Sequence, residues 1–248
     1  MRTVLAIGAA LYAVRGNHER LNGHYSHAER RIRRGLALAR RGGLLHSELG
    51  IRLLNSLGMI CKYQGLFARS ARAYRQALGI ARKRLPAEHP LFATLYHNLA
   101  GLDHARGDYS SAEPLARNGL AIRVRALGAE HPDVGRDLAA LGAILDGEKR
   151  QEEAERLYRR AIEIFERRGR SERRDLAYTL VNLAACLHLA GRTNEARALA
   201  RKAANMQVSL LGADHPDVGL ALDNLAVICG DHKPRLVPAP GPLSPPRT

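Results

Sequence analysis

The chain has 248 residues, 46% of them apolar and 25% charged, so it can bury a sizeable core and is not disordered throughout. Trp is absent, Phe and Tyr together number eleven and Cys only three, which argues against a strand-rich fold and excludes a disulfide framework. The net charge of +15 is uneven: residues 1–88 hold 17 Lys and Arg against four Glu, and residues 89–248 hold 22 against 20 acids, which excludes a neutral enzyme or an acidic tail.

The first element is an apolar run from Thr3 to Val14 behind Arg2. It looks like a secretory signal, but it ends at Arg15 without a small-x-small cleavage site. It reads better as the first helix of an array, in a chain expected to be cytoplasmic given its few cysteines. No stretch of eighteen apolar residues is present, so no transmembrane helix is expected.

Further along, His-Pro pairs fall at 89–90, 131–132 and 215–216, spaced by 42 and by twice 42. The same period aligns Leu57, Leu99, Leu141, Leu183 and Leu225, each followed by Gly58, Ala100, Gly142, Ala184 or Ala226. Gly65, Gly107 and Gly191 form another column, with Lys149 as the exception and Gly147 standing in for the missing glycine. A third column is Ser70, Ala112, Ala154 and Ala196, and a fourth is Ala77, Gly119, Ala161 and Ala203. A fixed period of this kind marks a repeat architecture.

In chain order the units are 5–46 (degenerate, with Arg15 in place of Leu), 47–88, 89–130, 131–172 and 173–214, then a terminal helix 215–230. Each unit predicts an amphipathic helix A and a helix B. Small residues at Gly58, Ala100 and Gly142 let B approach A closely. The column glycine ends helix A with a left-handed residue. His131 and His215 fit the N-cap position, with Pro in the first turn and Asp133 and Asp217 complementing the helix dipole. Residues 232–248 are Pro-rich and predict a disordered, polyproline-leaning tail, in which Pro242 to Arg247 fits a PxxPxR pattern.

These residues resemble the tetratricopeptide repeat family, in its kinesin light chain-like 42-residue branch. The resemblance rests on Leu183-Ala184, on Gly107-Asp108-Tyr109, on the run from Glu153 to Ala161, and on that from Leu127 to Val134. Unit 173–214 departs from it by lacking His-Pro. The resemblance implies an all-α fold, a right-handed α-solenoid of antiparallel helix hairpins whose concave face is lined by A helices. It further implies a non-enzymatic scaffold or adaptor holding a peptide or partner protein in that groove. Asn in the column before the Leu would then bind peptide backbone, which singles out Asn98, Asn182 and Asn224. Neighbouring candidates are Arg52, Arg136, Tyr178 and His97, with Asn55, Lys62, Tyr63, His104 and His188 nearby. The arginines would favour a ligand with carboxylates.

No phosphate-binding glycine loop, HExxH, GxSxG or EF-hand loop occurs, so no enzyme, cofactor or metal site is expected. The His-Pro histidines lie whole repeats apart, and His18, His24 and His27 lack a fixed carboxylate pair. Cys61 and Cys229 share the column of Leu145 and Leu187 and read as core residues.

The charge excess falls on two B helices, at Arg30, Arg31, Arg33 and Arg34, and at Arg69, Arg72, Arg75, Arg82, Lys83 and Arg84. This patch suggests an acidic protein partner, with nucleic acid a less favoured alternative and a stand-alone regulatory array of a signalling system another. Helix 215–230 has no following helix B. It should leave Leu222, Leu225 and Cys229 partly uncovered, a route to self-association.

Overall fold

The computed structural model describes residues 1–213 and 215–230, and the Pro-rich segment 232–248 lies outside the described residues. Among the described residues there are eleven α-helices, one short 3-10 segment and no strand. The chain divides into two compact units, Met1–Leu102 and a second starting at Asp103.

Unit 1 contains α1 (Arg2–Leu21), α2 (Tyr25–Arg41), α3 (Glu48–Tyr63), α4 (Phe67–Arg84) and most of α5 (Pro90–Ala105). α1 packs on α2 and α3 on α4 as antiparallel hairpins. Unit 2 contains the end of α5, then α6 (Tyr109–Leu127), α7 (Pro132–Gly147) and α8 (Gln151–Arg168). The 3-10 segment Gly169–Glu172 follows, then α9 (Arg173–Leu189), α10 (Thr193–Leu211) and α11 (Pro216–Cys229). Here α7 pairs with α8, and α9 with α10. The fold class is all-α, a solenoid of repeated antiparallel helical hairpins.

Two small-residue columns on the B helices lie against the core. Ser70, Ala112, Ala154 and Ala196 are fully buried, as are Ala77, Ala161 and Ala203. Each hairpin also carries a size-matched pair across its two helices. A Cβ added to Gly58 would stand 2.4 Å from the fully buried Tyr74 ring, and one added to Gly142 would stand 2.9 Å from that of Tyr158. Gly16 makes the same room for Ile32. At that register α9 and α10 carry Ala184 and Ala200 instead, both buried. Glycine thus appears where the partner is large, because interiors pack too densely for both to be large.

The helix ends follow the sequence. Gly23, Gly65, Gly107 and Gly191, each just past the C-cap of a helix A, take φ of 72–80°, the left-handed region. In α7 that position is Lys149, the one non-glycine with positive φ among the described residues, at 64°. Gly147 therefore does not replace the missing cap glycine, as its spacing suggested. It is the last helical residue, and a Cβ there would stand 2.5 Å from the Tyr109 ring. Lys149→Gly is expected to stabilise the protein by about 1 kcal/mol, because glycine adopts this backbone without the Cβ strain. Urea denaturation checks this, and an unchanged midpoint counts against strain at Lys149.

At the N-termini, His131 Nδ1 accepts from the Asp133 N–H and His215 Nδ1 from the Asp217 N–H, both at 3.1 Å. His89 Nδ1 accepts from the Leu91 N–H at 3.3 Å. The junction without His-Pro is built differently. Arg136 of α7 reaches across to Glu172 at 2.5 Å and Asp175 at 2.7 Å, while also holding Asp133 at 2.6 Å.

The B helices of unit 2 are laced by ion pairs that repeat every 42 residues. Arg150 pairs with Glu113 at 2.8 Å and Glu153 at 2.7 Å, and Arg117 with Glu113 at 2.7 Å. One repeat later Arg192 pairs with Glu155 at 2.8 Å and with Glu195, and Arg159 with Glu155 at 2.8 Å. Burial alone would raise Glu113 and Glu155, but hydrogen bonds from these arginines outweigh it and hold both below the ordinary carboxylate range. The same column in α2 is Glu29, which holds Arg33 and Arg69. In α4 it is Ala71, so Arg75 has no carboxylate four residues before it. Missing acids, as much as added bases, give unit 1 its charge.

The strip expected on the terminal helix is partly uncovered. Leu222 is 46% exposed, and Leu225 and Cys229 are half-buried. A longer exposed apolar stripe runs along α1, through Val4, Ile7, Leu11 and Val14.

Candidate binding site

One column of the repeat is ionisable in five successive A helices. It lies five residues after the Leu column, in the last turn, and reads Arg20, Lys62, His104, Asp146 and His188.

In unit 1 this column is packed with aromatic rings. Tyr63 stacks on Tyr25 with centroids 5.4 Å apart. The Lys62 ammonium stands 5.4 Å from the Tyr63 ring centroid and the Arg20 guanidinium 5.9 Å. Lys62 is only 2% exposed, and burial, helped by the charge of Arg20, brings its ammonium down to about 8.

In unit 2 the register of Tyr25 is kept as Tyr109, while that of Tyr63 becomes Gly147. The second ring of the unit 1 stack is absent here, and Tyr109 lies directly against the glycine. A cavity of about 190 Å³ lies beside Gly147, lined by His104, Tyr109, Asp146, Tyr158, Asn182 and Leu189, with Ala143 and Ala185. His104 meets Tyr109 edge-on at 5.4 Å. An adjoining, more open depression of about 650 Å³ shares Asp146, Gly147 and Leu189 and extends to Lys149, Gln151, His188 and Val227.

Two polar atoms at these walls are buried with no hydrogen-bond partner among the described residues, Asp146 Oδ1 and His188 Nδ1. Burial pushes the Asp146 carboxyl up to about 6, against a smaller opposing hydrogen bond from Cys186. The Cys186 thiol is pushed up to about 12 by burial first and by the Asp146 charge next, and it hydrogen-bonds the Gln151 carbonyl at 3.5 Å. Leu189, at the mouth of both spaces, is 62% exposed.

The structure places the residues singled out from sequence unevenly. Asn182 lines the cavity. Asn98, Asn182 and Asn224 are 7%, 8% and 2% exposed, and Asn98 donates to Asn55 Oδ1 at 2.8 Å between α5 and α3. Tyr178 donates to Asp217 at 2.6 Å, Arg52 pairs with Glu48 at 2.6 Å, and Arg136 is held by its three carboxylates. His97 is half-buried on α5 and is not among the residues that line this cavity. His104 and His188, named from sequence as neighbours of the groove, line the two spaces. Asp146 and Gly147 were missed as site residues. The 42-residue register pointed to Asp146, which stands midway between the two histidines. Of the basic residues in α2 and α4, Arg31 pairs with Glu19, and Arg33 and Arg69 with Glu29. His18 hydrogen-bonds Asn22, and His24 hydrogen-bonds Glu19.

Repeated hairpins with capped, size-matched helices define a tetratricopeptide-type helical-repeat protein. A tetratricopeptide repeat model matches residues 91–167 and 175–233, and a second such model matches 51–91. The chain belongs to the tetratricopeptide repeat family. Among solved structures it is similar to BtubC from P. vanneervenii, at 22% identity and a TM-score of 0.71, covering 86% of this chain and 84% of that one. A Podospora anserina putative kinesin light chain with nearly identical tetratricopeptide-like repeats matches at 20% identity and a TM-score of 0.66, over 81% of this chain and 95% of that one. The apo form of RapI matches at 17% identity and 0.69, over 90% and 81%. No curated protein matches the sequence. Among the described residues no helix is long and apolar enough to cross a membrane.

Proposed function

We propose that this chain is a non-enzymatic scaffold that holds a peptide or partner protein at the paired depressions of unit 2. The observation that supports it is the cavity beside Gly147 and its adjoining depression, with an exposed leucine at the mouth of both and an unsatisfied buried polar atom on Asp146, which lines both, and on His188, which lines the second. Binding sites combine an apolar lining with a few fixed polar groups in this way. The high pKa of Cys186 supports the non-enzymatic reading, since a thiol held near 12 is not a nucleophile at neutral pH. Leu189→Gln tests the proposal, because an exposed position costs the fold at most about 0.5 kcal/mol. Partners recovered with the full chain, or peptides selected on an array, should bind this variant at least fivefold more weakly with an unchanged melting temperature. Unchanged binding would remove the site from the function, and the absence of any partner would remove the scaffold reading.

A second reading concerns unit 1. Arg30, Arg34, Arg72, Arg75, Arg82, Lys83 and Arg84 are exposed and, among the described residues, make no ion pair. That supports a polyanion-facing surface, acidic protein or nucleic acid backbone. A fluorescent oligonucleotide should bind at low salt and be released as salt rises. Ala71→Glu, which gives Arg75 its missing partner and removes one net charge, should weaken that binding. No binding at low salt removes this reading.

A further inference from the structure

Asp146 is the one acid in a column otherwise made of arginine, lysine and histidine. It keeps one carboxylate oxygen buried and without a hydrogen-bond partner among the described residues. A buried carboxylate is normally paired, because an unpaired one is costly. Asp146 itself is half-buried, and the cavity it lines is far larger than the roughly 10–15 Å³ that one water needs. Its walls are also of two kinds. Tyr109, Tyr158 and His104 present rings, while Ala143, Ala185 and Leu189 present aliphatic surface. Rings attract cations, and aliphatic walls suit a long hydrocarbon stem.

We infer that this cavity takes the arginine or lysine side chain of an extended peptide, with its cationic head on Asp146 and its stem along Leu189 and the two alanines. This rests on the scaffold reading and gives that site its ligand chemistry. The adjoining depression, with Gln151 and His188, offers polar groups for the flanking peptide. Gly147 stands where unit 1 carries Tyr63, with the Tyr109 ring lying against it, and it is joined there to the acid of the column. The site is therefore particular to this hairpin, and the Lys62 register, where the column bears a cation under a tyrosine, has the wrong charge for the same ligand.

The test is an NMR titration of the full chain with N-acetyl-arginine methylamide, with the N-acetyl-citrulline amide as its neutral isostere. Saturable shifts should centre on Tyr109, Gly147 and Asn182 for arginine and be absent for citrulline. Asp146→Asn should weaken arginine binding about tenfold or more, the scale of a hydrogen bond to a charged group. Equal binding of citrulline, no saturable binding of arginine, or full binding by Asp146→Asn overturns the inference. If array-selected peptides lose affinity with Leu189→Gln but not with Asp146→Asn or on replacing their basic residues, the cation site falls and the scaffold reading stands.

Discussion

Asp146→Asn is expected to make the protein more stable, by about 3 kcal/mol at pH 7. Asp146 sits at about 6 in the fold against an ordinary value of 3.8, chiefly because burial disfavours its charged form. The folded state therefore binds the proton more tightly than the unfolded chain. Its stabilising contribution is fully present below 3.8 and is lost as pH rises through 6. One unit corresponds to about 1.4 kcal/mol, so a shift of this size sets the scale. Asparagine keeps the shape without the charge. Denaturation at several pH values should show a difference that is near zero at pH 4, grows between 4 and 6, and levels off above 7. A pH-independent difference, or a less stable variant at pH 8, would contradict an unpaired buried carboxylate. The variant that gains stability should be the one that loses arginine binding, the usual trade between stability and function.

The second large effect is expected at the Gly58–Tyr74 pair. A Cβ at Gly58 would meet three Tyr74 ring atoms at 2.4, 2.6 and 2.8 Å, and that ring is fully buried. Gly58→Ala should cost roughly 2–3 kcal/mol as overpacking. Tyr74→Ala should cost about 3–5 kcal/mol through the cavity left behind. The double variant recreates the alanine pair found at 184 and 200, so it should be less destabilised than the sum by roughly 1–3 kcal/mol. Urea denaturation of the four proteins measures that coupling. Simple additivity would mean that the ring moves aside freely, against the packing described.

Much of the fold was legible because repetition is visible in one dimension. Leucine, small-residue and glycine columns at a spacing of 42 fixed the hairpins, and the left-handed glycines fell where the columns put them. Lys149 shows the limit. Spacing suggested that nearby Gly147 did the capping, but a backbone position is occupied by whichever residue arrives there, and lysine arrived. The site was less legible. Arg136 and Tyr178 carry groups suited to a ligand, yet the next repeat supplies their partners as Glu172, Asp175 and Asp217. Such satisfaction depends on side chains some forty residues away. Beside the cavity the tyrosine of unit 1 is replaced by glycine, and a missing ring leaves no motif to find. Asn182 lines the cavity, while the equivalent Asn98 is tied to Asn55 between neighbouring A helices.

The size-matched pairs restrict how this chain could have been assembled by gene shuffling. Glycine and tyrosine of one hairpin travel together, as do alanine and alanine of another. A crossover placed between hairpins moves each pair intact. A crossover inside a hairpin, at the turn joining its two helices, would join Gly142 to Ala200 and leave a void, or Ala184 to Tyr158 and force a clash. Chimeras of the segments 131–172 and 173–214 should therefore fold when cut at their outer boundaries and fail when cut at the inner turn. The hairpin, not the helix, is the smallest piece that evolution or an engineer can exchange.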